Sequence, residues 1–289
     1  MCLIVCIIHI LLARNGLLDD TCFIHDEAPF SERGVSYLSH LNQGIGMMKD
    51  STLLIGGTHG DERIGVEACL QLQADIPSLA WTIGNPKAFE QKNREYEGDL
   101  NRSAPGNSDS ALYSERRAAE LIALSKNFKQ TIDIHGTNQP TGIFIIISRL
   151  SKANLRLAAM LPIQRIVIWT ASSNKQPLNA YFPCGMEIEC GSQESAEVRK
   201  EINIILKDFL ARPEEISDHE CEDILRFRDI FEVYGKQTSI LQGIELTEFQ
   251  EVQGFDEERF FPLLINVYSA SGIVCYKMKR TTYSINSFV

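Results

Sequence analysis

From Thr52 to Leu210, short apolar runs rich in β-branched residues alternate with stretches whose apolar residues recur at helical spacing. A chain patterned in this way folds as α/β, with helices covering a parallel or mixed sheet. The runs Thr52–Ile55, Leu79–Ile83, Thr131–Ile134, Gly142–Ser148, Arg165–Trp169 and Cys184–Cys190 predict strands. Ile64–Ala74, Ser110–Phe128, Ser151–Leu161 and Gln193–Leu210 predict helices, and Pro77, Pro162 and Pro213 stand just beyond three of them. Gly84–Pro105 reads as a polar loop. Beyond Pro213 the texture changes. An acidic stretch to Asp223 looks like a boundary, and Ile224–Phe231, Phe260–Tyr268, Ile273–Met278 and Thr281–Ile285 predict short strands. Three parts are therefore expected: residues 1–46, an α/β part over 47–211, and a small β-rich part over 212–289.

The 289 residues carry 28 Lys and Arg against 38 Asp and Glu, a formal charge of −10. A chain so acidic has no overall attraction for DNA or RNA, so nucleic acid is not an expected partner. Cys2–Ala13 is the longest apolar run, and it is too short to span a bilayer. It lacks the flanks of a secretion signal and suits a buried strand, so no membrane partner is expected. None of the eight cysteines forms a Cys-x-x-Cys pair. Free thiols in a reducing compartment, the cytoplasm, are the expectation, and any metal site must come from His, Asp and Glu.

Two of the six histidines, His59 and His135, end predicted strands inside Gly-flanked loops. Ligand sites of α/β sheets lie at such strand ends. Glu62 follows His59 by three residues, and the glycines let that loop fold tightly enough to turn both side chains to one point. With His135 from a neighbouring strand they make two imidazoles and one carboxylate, a set that leaves zinc a fourth position. Asp133 either orients His135 or caps the next loop. In the strand Cys184–Cys190, two carboxylates, Glu187 and Glu189, interrupt an apolar run and fall on one face, so either is a candidate proton shuttle.

Gly-Gly-Thr-His59-Gly-Asp-Glu62, then Asn85-Pro86-Lys87-Ala88, Arg94, Asp99-Leu100-Asn101-Arg102 and Asp133-Ile134-His135-Gly136-Thr137 together resemble the aspartoacylase/succinylglutamate desuccinylase family, relatives of the zinc carboxypeptidases. The likeness covers about half the chain, Thr52 to Gly191. It implies a zinc-carboxypeptidase-like mixed sheet flanked by helices and followed by a small β-rich C-terminal domain. It also implies one Zn2+ per chain on His59, Glu62 and His135. The family's Glu-apolar-Gly pattern matches Glu189-Cys190-Gly191, which selects Glu189 as catalytic base over Glu187. By the same resemblance Arg94 polarises the scissile carbonyl, Asn101 and Arg102 bind a substrate carboxylate, and Tyr268 lies on the substrate side.

Two departures bear on substrate. Asp61 stands where the family usually has Asn, which adds a carboxylate near the metal loop. Aspartoacylases proper carry a further Arg about ten residues before the catalytic Glu, whereas Asn174–Asn179 contains none. Lys175 is a point charge there and not a bidentate fork. Whether N-acetylaspartate is accepted is thus left open, and other N-acyl amino acids or a short peptide's terminal carboxylate fit equally well. The expected activity is a zinc-dependent amidohydrolase cleaving an N-acyl amino acid or a related small anionic amide. A carboxypeptidase-like metallopeptidase and a non-catalytic metal- or ligand-binding relative are the alternatives. Oligomeric state is left open, a homo-oligomer included. Met47 or Met48 is a natural start for the catalytic part, so expression from Met47 tests whether residues 1–46 belong to it.

Overall fold

Ten of the chain's extended segments pair into one mixed sheet in the computed structural model, which describes residues 47–170, 176–214, 216–254 and 257–288. The expectations that fall on residues 1–46, among them the strand over Cys2–Ala13, and on Lys175 lie outside the described residues. The strands are β1 (Thr52–Gly56), β2 (Trp81–Ile83), β3 (Gln130–Thr137), β4 (Gly142–Ile147), β5 (Arg165–Ile168), β6 (Gly185–Gly191), β7 (Asp229–Gln237), β8 (Val252–Gln253), β9 (Arg259–Leu263) and β10 (Cys275–Thr281). They lie in the order β2-β1-β3-β6-β4-β5-β7-β10-β9-β8. The first half is parallel apart from β4, which runs antiparallel to β6, while β10, β9 and β8 form an antiparallel edge. Residues beyond 212 continue this sheet, because β7 lies parallel to β5.

Alternation along the central strands sets the two faces. Ile132 and Ile134 of β3, Met186, Ile188 and Cys190 of β6, and Ile145 and Ile147 of β4 share one core with Cys69, Leu72, Leu155, Ile202 and Leu206, from the helices Ile64–Asp75, Lys152–Met160 and Ala196–Leu210. The intervening residues of β3 and β6 therefore project to the opposite face. The parallel register sets Asp133 against Glu187 and His135 against Glu189. Two further apolar clusters occupy that opposite face. One joins Leu53 and Ile55 to Ala118 and Leu121 of the helix Tyr113–Ser125. The other joins Phe144 and Ile146 to Val167, Phe231, Leu263 and Met278. Four titratable side chains thus emerge between two apolar patches. A one-residue slip of β3 or β6 would bury them under the helices, so the apolar core itself enforces the register.

Three local expectations differ from the structure, the first being the strand expected over Thr281–Ile285: β10 ends at Thr281, and Ile285–Ser287 is a 3-10 turn. The segment expected as a loop over Gly84–Pro105 contains a short helix, Pro86–Gln91. Asn85 is its N-cap, accepting from Ala88 N at 3.1 Å, and Pro86 opens the first turn, so Asn-Pro here starts a helix where a turn was expected. The strand expected over Ile224–Phe231 begins only at Asp229, because Asp218–Arg226 is helical. Ser217 nucleates that helix through a capping box: its Oγ accepts from Glu220 N at 3.2 Å, and its own N donates to Glu220 Oε2 at 2.9 Å. Ser217→Ala is expected to lower stability by about 1 kcal/mol, which moves the thermal midpoint by about 2–4 °C. An unchanged midpoint would show that the box contributes nothing.

Among the described residues Cys69, Cys184, Cys190, Cys221 and Cys275 are free thiols. Among them, too, no helix is long and apolar enough to cross a membrane.

Candidate active site

The loop after β1 owes its shape to Gly57 and Gly60. Gly57 adopts φ +70, the left-handed region that glycine enters without penalty. At Gly60 a Cβ would stand 2.1 Å from the carbonyl carbon of Ala88, so only glycine lets the loop lie against the helix Pro86–Gln91. Gly60 N donates to Arg94 O at 3.2 Å and Asn85 N donates to Gly57 O at 2.9 Å. These bonds stitch the loop carrying His59 and Glu62 to the segment that carries Arg94.

His59, Glu62 and His135 converge as expected. Each offers a potential ligand atom within 4.8 Å of the others, and all three are buried. Glu62 is the centre: Oε1 is 2.7 Å from His59 Nδ1, and Oε2 is 2.9 Å from His135 Nδ1. Arg94 donates to Oε1 at 3.0 Å, and the backbone N–H of Gly136 donates to Oε2 at 3.1 Å. The outer nitrogens of both rings also face carboxylates. His59 Nε2 is 3.2 Å from Asp99 Oδ1, and His135 Nε2 is 3.1 Å from Asp133 Oδ2. Thr58 Oγ1 holds Asp133 in turn, at 2.8 Å. Asp133 therefore orients His135, the first of its two expected roles. Such carboxylates fix an imidazole's tautomer and ring plane for metal binding.

Burial sets the charges. It opposes the charged form of His135, but Asp133 and Glu62 outweigh it and raise its pKa well above the usual range. It would raise Glu62, yet His59 and His135 hold that carboxylate well below its usual range. Asp99, also partly buried, is brought down to about 2 by His59 and the nearby arginines. Two imidazoles and a carboxylate, buried and anchored from behind, are a donor set that fits a zinc-type divalent ion.

The two strand carboxylates differ in their surroundings. Glu187 is buried and accepts from Asn101 Nδ2 at 2.9 Å. Glu189 is half-buried in the same cavity, and its carboxylate has no hydrogen bond among the described residues. Burial and the negative charge of Glu62 push Glu189 up to about 8. Arg102 lines the cavity beside Asn101 and donates to its backbone carbonyl at 2.8 Å. Tyr268 lines it as well, and burial raises its phenol against the opposing pull of Arg94. His59, Glu62, Arg94, Asn101, Arg102, His135, Glu189 and Tyr268 thus border one cavity of about 640 Å3, while Asp133 stands behind its lining.

Of the aromatic wall of this cavity, sequence reasoning marked only Tyr268. Trp169 and Tyr276 meet edge to face with ring centroids 4.4 Å apart, and Tyr268 meets Tyr276 at 5.7 Å. Lys236 of β7 places its ammonium 5.8 Å from the Tyr276 ring. Trp169 directly follows β5, Lys236 and Tyr276 lie on β7 and β10, and no local motif marks these three. Asp99 lies inside the quoted Asp-Leu-Asn-Arg run, but only the folded loop reveals its contact with His59.

Residues 49–199, slightly more than half of the chain, match the catalytic domain of the succinylglutamate desuccinylase/aspartoacylase family. The chain belongs to this family. A probable aspartoacylase of Acaryochloris marina is 30% identical over 161 residues, 48% of this chain and 54% of that protein. An N-acyl-aromatic-L-amino acid amidohydrolase (carboxylate-forming) of Danio rerio is 27% identical over 183 residues, 53% of this chain and 58% of that protein. The chain therefore spans little more than half the length of these two curated relatives. Crystalline murine aminoacylase 3 has the same fold: the TM-score is 0.58 at 19% identity, over 82% of this chain and 97% of the murine one. The zinc-carboxypeptidase-like architecture implied by the sequence motifs is thus the architecture of the family's known structures.

Proposed function

We propose that the chain is a zinc-dependent amidohydrolase that removes the acyl group from N-acyl amino acids. The observation that carries this is the convergence of His59, Glu62 and His135 beside a Glu189 that has no hydrogen bond among the described residues and two cavity-lining arginines. A zinc ion held by those three residues would supply Lewis-acid polarisation of the carbonyl and activation of water. Arg94, anchored on Glu62, offers its remaining N–H groups to the oxygen that becomes negative in the tetrahedral state. Glu189 takes a proton from the attacking water as the carbon–oxygen bond forms. It returns that proton to the amide nitrogen as the carbon–nitrogen bond breaks, releasing a carboxylic acid and an amine. Asn101 and Arg102 bind the carboxylate of the amino acid.

The aromatic wall supports a large, flat side chain on the substrate, the class carried in the name of the Danio rerio relative. Full burial of an aromatic side chain contributes about 1.5–3 kcal/mol, or roughly ten- to hundredfold in kcat/KM. N-acetyl-L-phenylalanine and N-acetyl-L-tyrosine are therefore expected to exceed N-acetyl-L-aspartate by at least about tenfold in a hydrolysis panel. Preference for the aspartate derivative would contradict this substrate class, and faster cleavage of dipeptides would make the protein a peptidase. The free thiols among the described residues suit a reducing compartment, and a cytoplasmic enzyme is the reading they support.

A further inference from the structure

Glu187 is a buried carboxylate that the proposed reaction leaves without a task. It sits on the same strand face as Glu189, and its Oε1 lies 3.8 Å from His135 Nε2 and 2.9 Å from Asn101 Nδ2. The same amide is gripped at its other end, where Asn101 Oδ1 accepts from Leu178 N at 2.8 Å. Asn101 is 4% exposed, so this amide has little water to replace either partner. A carboxylate only accepts and a backbone N–H only donates, so the oxygen and nitrogen of Asn101 cannot exchange places. Asn101 Nδ2 spends one N–H on Glu187, and no other described residue takes the second.

We infer that Glu187 is a positioning residue for substrate recognition. It locks the Asn101 amide so that the cavity receives a donor suited to the substrate carboxylate. A flipped amide would set oxygen against Glu187 and present an acceptor to an anion, which repels both. The same contact ties the loop of Asn101 to β6, the strand that carries Glu189, so binding and proton transfer share one scaffold. The inference rests on the proposed role of Asn101 in holding the substrate carboxylate.

Steady-state kinetics of the zinc-loaded protein test it, using whichever N-acetyl amino acid the panel shows to be cleaved best. Glu187→Leu removes the acceptor and is expected to raise KM about tenfold, with kcat within about twofold. Glu187→Gln can still offer an oxygen to Asn101 and is expected to restore most of the lost affinity. Asn101→Ala combined with Glu187→Leu should be no worse than Asn101→Ala alone, because both act on one contact. Where Glu187→Leu fails to fold, Glu187→Asp, which withdraws the acceptor by one carbon–carbon bond, should raise KM in the same way. An unchanged KM, or additive effects in the double variant, would overturn the inference. Loss of kcat in Glu187→Gln would also overturn it, by making Glu187 the proton shuttle. Failure of the functional proposal reads differently, as full activity in Glu189→Gln or no amide hydrolysis by the wild type. In the latter case the affinity for free L-phenylalanine, measured by calorimetry, takes the place of KM for the same variants.

Discussion

Glu189→Gln is expected to lower kcat by roughly two to four orders of magnitude while the protein keeps its fold and its bound zinc. The substitution is isosteric, and Glu189 forms no hydrogen bond among the described residues, so no structural contact is lost with the charge. What disappears is the proton acceptor. Stability moves the opposite way. Burial and the charge of Glu62 raise Glu189 from 4.5 to about 8, so the folded metal-free protein favours its neutral form. A carboxyl whose pKa is raised on folding contributes stability below its unfolded pKa, and that contribution is lost as pH climbs through the folded value. The thermal midpoint of metal-free Glu189→Gln should therefore gain on the wild type as pH rises from about 4.5 to about 8. Full activity in Glu189→Gln, together with inactivity in Glu187→Gln, would assign the shuttle to the other carboxylate.

His135→Ala is expected to have the second large effect, on metal and fold together. The imidazole stands between Glu62 and Asp133, at 2.9 and 3.1 Å. Its removal takes away one of the three proposed ligands and leaves two buried carboxylates without the cation that separated them. Breaking a buried ion pair from one side costs about 3–5 kcal/mol. Glu62 keeps His59, Arg94 and the Gly136 N–H, and Asp133 keeps Thr58, so the lower end of that range applies here, about 3 kcal/mol. Denaturant titration of the metal-free protein measures the loss, and metal analysis should find less than one equivalent of zinc. A variant that retained one tightly held zinc and wild-type stability would show that His135 is no ligand.

The parts of this site legible in the sequence are those where chemistry and local backbone coincide. His59 and Glu62 share one Gly-rich loop, and His135 and Glu189 each end a strand, so spacing and strand period bring them within reach of one another. The distinction between Glu187 and Glu189 was not legible by periodicity, because both lie on one strand face. It depends on Asn101, 86 residues upstream, which occupies one carboxylate and leaves the other open. The aromatic wall was illegible for a similar reason. Trp169 and Tyr276 look like ordinary core aromatics along the chain, Tyr268 is marked only by the resemblance, and the antiparallel edge after β7 brings Tyr268 and Tyr276 over the cavity. In the fold, the apolar runs marked the central strands well. The helix Asp218–Arg226 escaped because its signal is a cap, Ser217 with Glu220, in a segment whose charge resembled a linker.

The most direct test of the central claim is a zinc titration of the metal-free protein followed by hydrolysis of N-acetyl-L-phenylalanine. Activity should rise in proportion to added zinc and level off at one ion per chain. Binding of one zinc at His59, Glu62 and His135 without hydrolysis of any N-acyl amino acid would contradict the account, and so would full hydrolysis before zinc is added.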